Sequence, residues 1–150
     1  MLVLGMGFLS QREAQSRAAK MSLFQLQARA LAEAGLEDAR AKLSKRHSFP
    51  PLAGMQQRNF QYSETLSDTA GNPVGVYLVE VDMSFADGPT WILKITSRGI
   101  HGTFDDPLAE YVLHAEMDVS EFDRVPIARS IYNPNPDRFK TLYTKVGKPQ

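Results

Sequence analysis

The sequence has no cysteine among its 150 residues, which excludes both a disulfide framework and thiolate chemistry. It has no excess of either charge, because 17 basic and 17 acidic side chains balance. Overall charge therefore does not favour nucleic acid or an acidic surface as a partner. It also has no phosphate-binding glycine loop and no nucleophile elbow, so no enzyme class is indicated.

Long hydrophobic runs are missing too. Residues 1–9 are the most apolar stretch, but a helix needs about 20 such residues to cross a bilayer. This run has no basic n-region or small-residue cleavage site, so it is not typical of a signal peptide. A helix that is apolar on every side is buried in lipid or in an assembly. We therefore expect this run to be the end of a longer hydrophobic helix, or a helix that inserts only partly.

From residue 10 onward, small and apolar residues recur at steps of three and four. The stripe comprises Ala14, Ala18, Met21, Phe24, Ala28, Leu31, Gly35, Ala39 and Leu43. Together with the apolar run it predicts one helix over residues 2–46. The first half of the stripe is mostly alanine and the second half is stronger. We expect the second half to pack on the protein's own sheet and the first half to project.

The helix carries eight basic and four acidic residues between Arg12 and Arg46, an excess of +4. Aromatic side chains do not alternate with the basic ones, as they do in many nucleic-acid sites. A solvated helix face therefore explains the charges better, and nucleic acid is unlikely as a partner. After the helix, Pro50 and Pro51 prevent its continuation.

Four segments have the alternating pattern of half-buried strands, at residues 59–66, 74–85, 91–96 and 110–119. Arg98 and Gly99 are expected to end the third. Short connections favour an antiparallel meander. The predicted fold is α+β, in which the helix (domain 1–46) packs on a four-stranded sheet within residues 47–119. Residues 120–150 are predicted as an irregular C-terminal extension, in which residues 138–145 are a candidate for one more short strand.

The order of these parts resembles the type IV pilin superfamily. Residues 28–37, Ala-Arg-Ala-Leu-Ala-Glu-Ala-Gly-Leu-Glu, are similar to the helix of minor pilins of the PilX type and of pseudopilins. The resemblance extends over residues 2–119 and includes the segment Ile95-Thr96-Ser97-Arg98-Gly99 with the strand after it. Its central residues are Ala32, Glu33, Ala34, Gly35, Leu36 and Glu37.

The family's leader peptide, its cleavage site and most of its hydrophobic segment are missing. The glutamate near the mature N-terminus of major pilins is missing too. We expect either that the sequence begins inside the family's hydrophobic helix or that it is a divergent member.

The resemblance implies a structural subunit of a pilus-like or pseudopilus filament. Its partners would be other pilin-like subunits, identical or different. It would lie in the bacterial inner membrane before assembly and in an extracellular filament afterwards. The assembly residues would be those of the apolar run: Leu2, Val3, Leu4, Met6, Phe8 and Leu9.

Two further hypotheses belong to other classes. In one, the protein is a membrane-attached periplasmic adaptor whose tail, residues 132–143, recruits a partner. In the other it is an enzyme or a metal protein, for which His101 with Asp105 and Asp106 is the nearest approach to a site. That spacing matches no zinc pattern, and a polar hairpin loop explains it better. We therefore expect no catalytic residues, no cofactor and no metal.

Overall fold

The computed structural model of the chain describes residues 2–45, 58–87, 89–121, 135 and 138–148, and the backbone alone for residues 2–10. Its fold is α+β, with one N-terminal helix on a five-stranded antiparallel sheet. The elements are α1 (Leu2–Lys45), β1 (Asn59–Ser67), β2 (Pro73–Asp82), β3 (Ile92–Gly102), β4 (Pro107–Asp118) and β5 (Thr141–Val146). The strands follow one another across the sheet in chain order, so the predicted meander is confirmed.

The turn between β1 and β2 shows how local chemistry sets this topology. The Asp68 carboxylate accepts hydrogen bonds from the backbone N–H groups of Ala70 and Asn72, at 2.9 and 2.8 Å. The Asn72 side chain donates a third, and these bonds lower the pKa of Asp68. Gly71 supplies the left-handed conformation (φ 87°) that a turn of this kind needs.

The core lies between the second half of α1 and one face of the sheet. The helix contacts β2, β3 and β4, the three central strands, because a helix about 10 Å wide cannot cover five strands spaced about 4.8 Å apart. Alternate residues of each strand point toward it, as the sequence pattern predicts. The buried cluster comprises Leu36, Ala39, Leu43, Phe60, Tyr77, Val79, Val81, Leu93, Ile95, Ala115 and Met117.

Helix and sheet approach most closely at Gly99 of β3. A Cβ atom on Gly99 would overlap the Ala28 carbonyl oxygen and the Ala32 amide nitrogen, so the two backbones touch here. One turn along the helix, a Cβ on Gly35 would lie 2.5 Å from the Ser97 hydroxyl oxygen and 3.0 Å from the Tyr77 ring. Only small residues on both sides allow this approach, which places β3 directly beneath the helix.

A buried hydrogen bond fixes the same contact. The Ser97 hydroxyl is completely buried and donates to the carbonyl oxygen of Ala32 at 2.7 Å. That carbonyl belongs to the helix ladder and has a second lone pair for this bond. The bond joins residues 65 positions apart and sets the position of the helix along β3.

Two predictions about strands are wrong. Arg98 and Gly99 do not end β3, which continues to Gly102 and pairs with β4 along its length. Glycine weakens strands, so the sequence predicts a strand end at Gly99. In the structure a residue without a Cβ atom is needed here, because the helix backbone lies directly above it. The sheet also has five strands and not four, because the candidate short strand of the C-terminal extension is formed as β5, three residues later at its start than the predicted 138–145.

The start of β5 is held to the end of β4 by backbone hydrogen bonds. The Phe139 N–H donates to the Asp118 carbonyl at 2.7 Å, and the Asp118 N–H donates to the Lys140 carbonyl at 3.1 Å. Phe139 has φ 65°, which turns its ring back onto the core. Residues 122–134, 136–137 and 149–150 of the predicted extension, and the helix stop at Pro50 and Pro51, lie outside the described residues.

We expect Gly99→Ala to lower the free energy of unfolding by about 3 kcal/mol, because the new methyl group must push the helix from the sheet. Ala30→Leu is the control, since Ala30 is exposed on the same helix and tolerates a larger side chain. Urea unfolding followed by circular dichroism measures both variants. Equal midpoints for the two would contradict the close approach.

Candidate assembly surface of the helix

Helix α1 has two parts with different surroundings. It is 44 residues long, about 66 Å, which exceeds the extent of the sheet. Side chains 28–43 include six that are almost completely buried, whereas all thirteen side chains from 11 to 23 are exposed. The prediction that the second half packs on the sheet while the first half projects is therefore confirmed for the side chains from residue 11 onward. We call residues 11–23 the projecting segment.

The helix leaves the sheet at Phe24. Its half-buried ring lies 4.9 Å from the imidazole of His101 at the end of β3, centroid to centroid. His101 Nδ1 is 2.9 Å from the carbonyl oxygen of Val74, which fixes the ring at this sheet end. His101 thus belongs to a packing contact, not to a cluster with Asp105 and Asp106, both of which are exposed.

Three large apolar side chains near this point face solvent. Met21, Leu23 and Leu26 are 56, 53 and 60% exposed. Met21 continues the stripe that packs on the sheet further along, since positions three and four apart share a helix face. Leu23 and Leu26 lie on the opposite side. The helix therefore has exposed apolar side chains on two opposite faces, and the described part of the domain covers neither face.

The polar groups of the projecting segment do little to stabilise it. Glu13 and Arg17 form an exposed i,i+4 pair at 3.7 Å, and such pairs contribute about 0.3–0.5 kcal/mol. Helices without tertiary packing are marginal in water. The segment gains substantial stability only if something covers it.

The proposed assembly residues lie just before this segment. Backbone helix begins at Leu2, so Leu4 and Phe8 share one helix face, one turn apart. The side chains of Leu2, Val3, Leu4, Met6, Phe8 and Leu9 lie outside the described residues.

The central residues of the resemblance divide into two groups. Ala32, Gly35 and Leu36 face the sheet and are buried, whereas Ala34 is half-buried. Glu33 and Glu37 are exposed and form ion pairs within the helix, with Arg29 at 2.8 Å and Arg40 at 2.7 Å. In this chain the motif therefore serves to pack the helix on its own sheet.

A polar cluster joins the end of the helix to β1 and β2. Lys42 donates to Asp38 at 2.6 Å and also to Glu64, and its ammonium group lies 4.3 Å from the centre of the Tyr62 ring. Tyr62 donates to Asp38 at 3.0 Å, and Tyr77 donates to Glu64 at 2.8 Å. No sequence pattern predicts this cluster, because its members are separated by up to 39 residues along the chain.

Both phenols in the cluster resist ionisation. Burial raises the pKa of Tyr62 and of Tyr77, and the carboxylate that accepts each phenolic hydrogen raises it further. In the unfolded chain a tyrosine ionises near pH 10. The stabilising effect of these protons is thus complete below about pH 10 and is lost progressively as the pH rises above it.

We expect the urea midpoint to fall progressively as the pH rises above about 10. In the Tyr62→Phe/Tyr77→Phe double variant this fall should be smaller, although the double variant is less stable at pH 7 by about 1–3 kcal/mol from the lost hydrogen bonds. Tyr143→Phe is the matched control, because Tyr143 is exposed. A double variant that declines in parallel with the wild type would show that these phenols do not govern the alkaline loss.

Hydrogen exchange tests the division of the helix. In the isolated chain, amides of residues 31–43 should exchange at least about 100-fold more slowly than amides of residues 12–23, because opening the former requires unpacking the core. Mass spectrometry of peptic fragments measures the two groups. Uniform protection along the helix would contradict a segment without tertiary support.

Among the described residues, no group of three or more histidine, cysteine, aspartate or glutamate side chains has the arrangement of a metal site. The part of the helix that the structure describes contains no stretch both long and apolar enough to cross a membrane. Comparison with known proteins found no matching family model, no matching curated protein and no matching solved structure.

Proposed function

We propose that this protein is a structural subunit of a filament of the type IV pilin kind, which assembles through its N-terminal helix. The observation that carries the proposal is the exposure of residues 11–23 along a continuous helix whose residues 28–43 are packed on the sheet. A monomeric domain gains nothing from such a helix, whereas a subunit can bury it against its neighbours.

The order of polarity along the helix supports the same role. An apolar run at residues 2–9 precedes the projecting segment, and apolar side chains face opposite directions at its end. A helix with these properties can exchange a lipid environment for other helices at small hydrophobic cost, so packing and polar contacts decide association. Head-to-tail contacts that do not close give a filament.

The assembly test is the double variant Leu4→Asp/Phe8→Asp. Two carboxylates on one apolar helix face should abolish incorporation into filaments, because each would be buried without a partner. The β domain should keep its wild-type urea midpoint, since its core lies beyond residue 27. Electron microscopy of filaments and cosedimentation measure incorporation.

Ala30→Asp/Ala41→Asp is the matched control. It adds the same two charges to the same helix at exposed positions of the packed half. Incorporation should continue in this variant. Normal filaments from the Leu4→Asp/Phe8→Asp protein would refute the proposed assembly role.

A second candidate function is a membrane-attached periplasmic adaptor that recruits a partner through its C-terminal tail. It is favoured by the exposure of Leu142 and Tyr143 on β5, at 52 and 55%. The rest of the tail segment that we assigned to this role, residues 132–134 and 136–137, lies outside the described residues. The state of the purified protein separates the candidates: filaments, or complexes with pilin-like chains, support the first, and a monomer that binds an unrelated protein through its tail supports the second.

A further inference from the structure

The sheet is open and its two edges differ in charge. Strands β1 and β5 each have one neighbour among the described strands, and α1 lies over the three strands between them, although side chains of β1 reach its end. Most side chains on both strands are exposed. Unpaired sheet edges are templates for pairing with another chain.

The β5 edge is basic. Residues 138–148 carry Arg138, Lys140, Lys145 and Lys148 and no acidic residue. Arg138 pairs with Glu121 at 3.4 Å, and Glu116 of β4 lies opposite Tyr143, so the positive charges of Lys145 and Lys148 exceed the remaining negative charge at this edge. The three lysines are exposed.

The β1 edge is acidic. Residues 59–68 carry Glu64 and Asp68 and no basic residue, and Asp38 of the helix lies beside them. Lys42 pairs with Asp38 and Glu64, so three negative charges and one positive charge leave this edge at −2. The exposed Glu80 of β2, opposite Gln61, adds to the same side.

These charges cannot neutralise each other within one molecule. Four inter-strand spacings separate β1 from β5, about 19 Å, which is more than the Debye length of about 8 Å at physiological ionic strength. Between molecules the same charges meet at contact distance. Two β5 edges repel each other, as do two β1 edges, whereas β1 and β5 attract.

We propose that the β1 edge of one molecule docks on the β5 edge of a second copy and continues the sheet between subunits. Lysines on an edge strand normally prevent pairing. Here they prevent only the symmetric pairing and leave the acidic edge as the acceptable partner. The contact is heterologous, so each added copy still presents one edge of each kind for the next copy.

This inference goes beyond the proposed function, because it assigns a role to the β domain and needs no contribution from the projecting segment. It depends only on whether β1 pairs with β5 in preference to a second β1 or a second β5. The outcome with the helix variants does not affect it. Filaments that form normally while the edges fail to meet would overturn the edge contact alone.

The lack of native cysteine allows a direct test on the full chain. Ser63→Cys marks β1 and Tyr143→Cys marks β5, and both positions are exposed on the sheet face opposite the helix. The two proteins are mixed and treated with a bis-maleimide whose spacer tolerates a register slip of two residues, about 7 Å. We expect the mixture to give cross-linked heterodimers at tenfold or greater yield over either protein alone.

Charge reversal makes the test specific. Adding Lys145→Glu and Lys148→Glu to the Tyr143→Cys protein should reduce heterodimer yield at least fivefold, and 1 M salt should reduce it similarly. Thr65→Cys replaces Ser63→Cys in a repeat, and urea midpoints verify that every variant is folded. Equal cross-linking of each protein with itself, no cross-linking in the mixture, or yields unchanged by charge reversal would each overturn the proposal.

Discussion

The structure depends on the contact between the backbone of α1 and the backbone of β3. Gly99 meets the backbone of Ala28 and Ala32 directly, Gly35 lies against the Ser97 side chain, and the buried Ser97 hydroxyl bonds to the helix. This contact fixes how far along the helix the sheet lies. The core cluster, from Leu36 to Leu43 on the helix, then has only one position in which to form.

Because the sheet is fixed at residues 28–43, the projecting segment, residues 11–23, has no cover from the described part of the domain. The polar cluster around Lys42 strengthens the opposite end, where Asp38 and Glu64 link the helix to β1 and β2. Stabilising contacts are therefore concentrated in one half of the helix. The division between a packed half and a projecting segment is the basis of the filament proposal.

The sequence predicts best the elements whose hydrophobicity is periodic, and it also places β1 within one residue although most side chains of that strand are exposed. The helix bounds agree within one residue, because small and apolar residues recur along its whole packed half. Strands β2 and β4 alternate between core and solvent and were expected at nearly their observed bounds. β5 is different: five of its six side chains are exposed, so it has no apolar alternation to recognise.

Other features could not be predicted because they depend on tertiary contacts. A glycine at position 99 is consistent with two opposite interpretations, the end of a strand or a close contact between the strand and a helix backbone. Only the position of Ala28 in the fold distinguishes them. The Tyr62 and Tyr77 hydrogen bonds join the helix to two strands and leave no local pattern. For the candidate surface, composition alone indicates the apolar run. The exposure of Leu23 and Leu26 could be seen only once the packing of the helix on the sheet was known.

The continuity of α1 also has a mechanical consequence. No proline interrupts it between Leu2 and Lys45, so the helix has no proline kink at which it would bend under load. A force on its N-terminal end travels along the rod and reaches three strands together, since β2, β3 and β4 all lie against it. Tension would then be shared in shear across the core and would not peel one strand from the sheet.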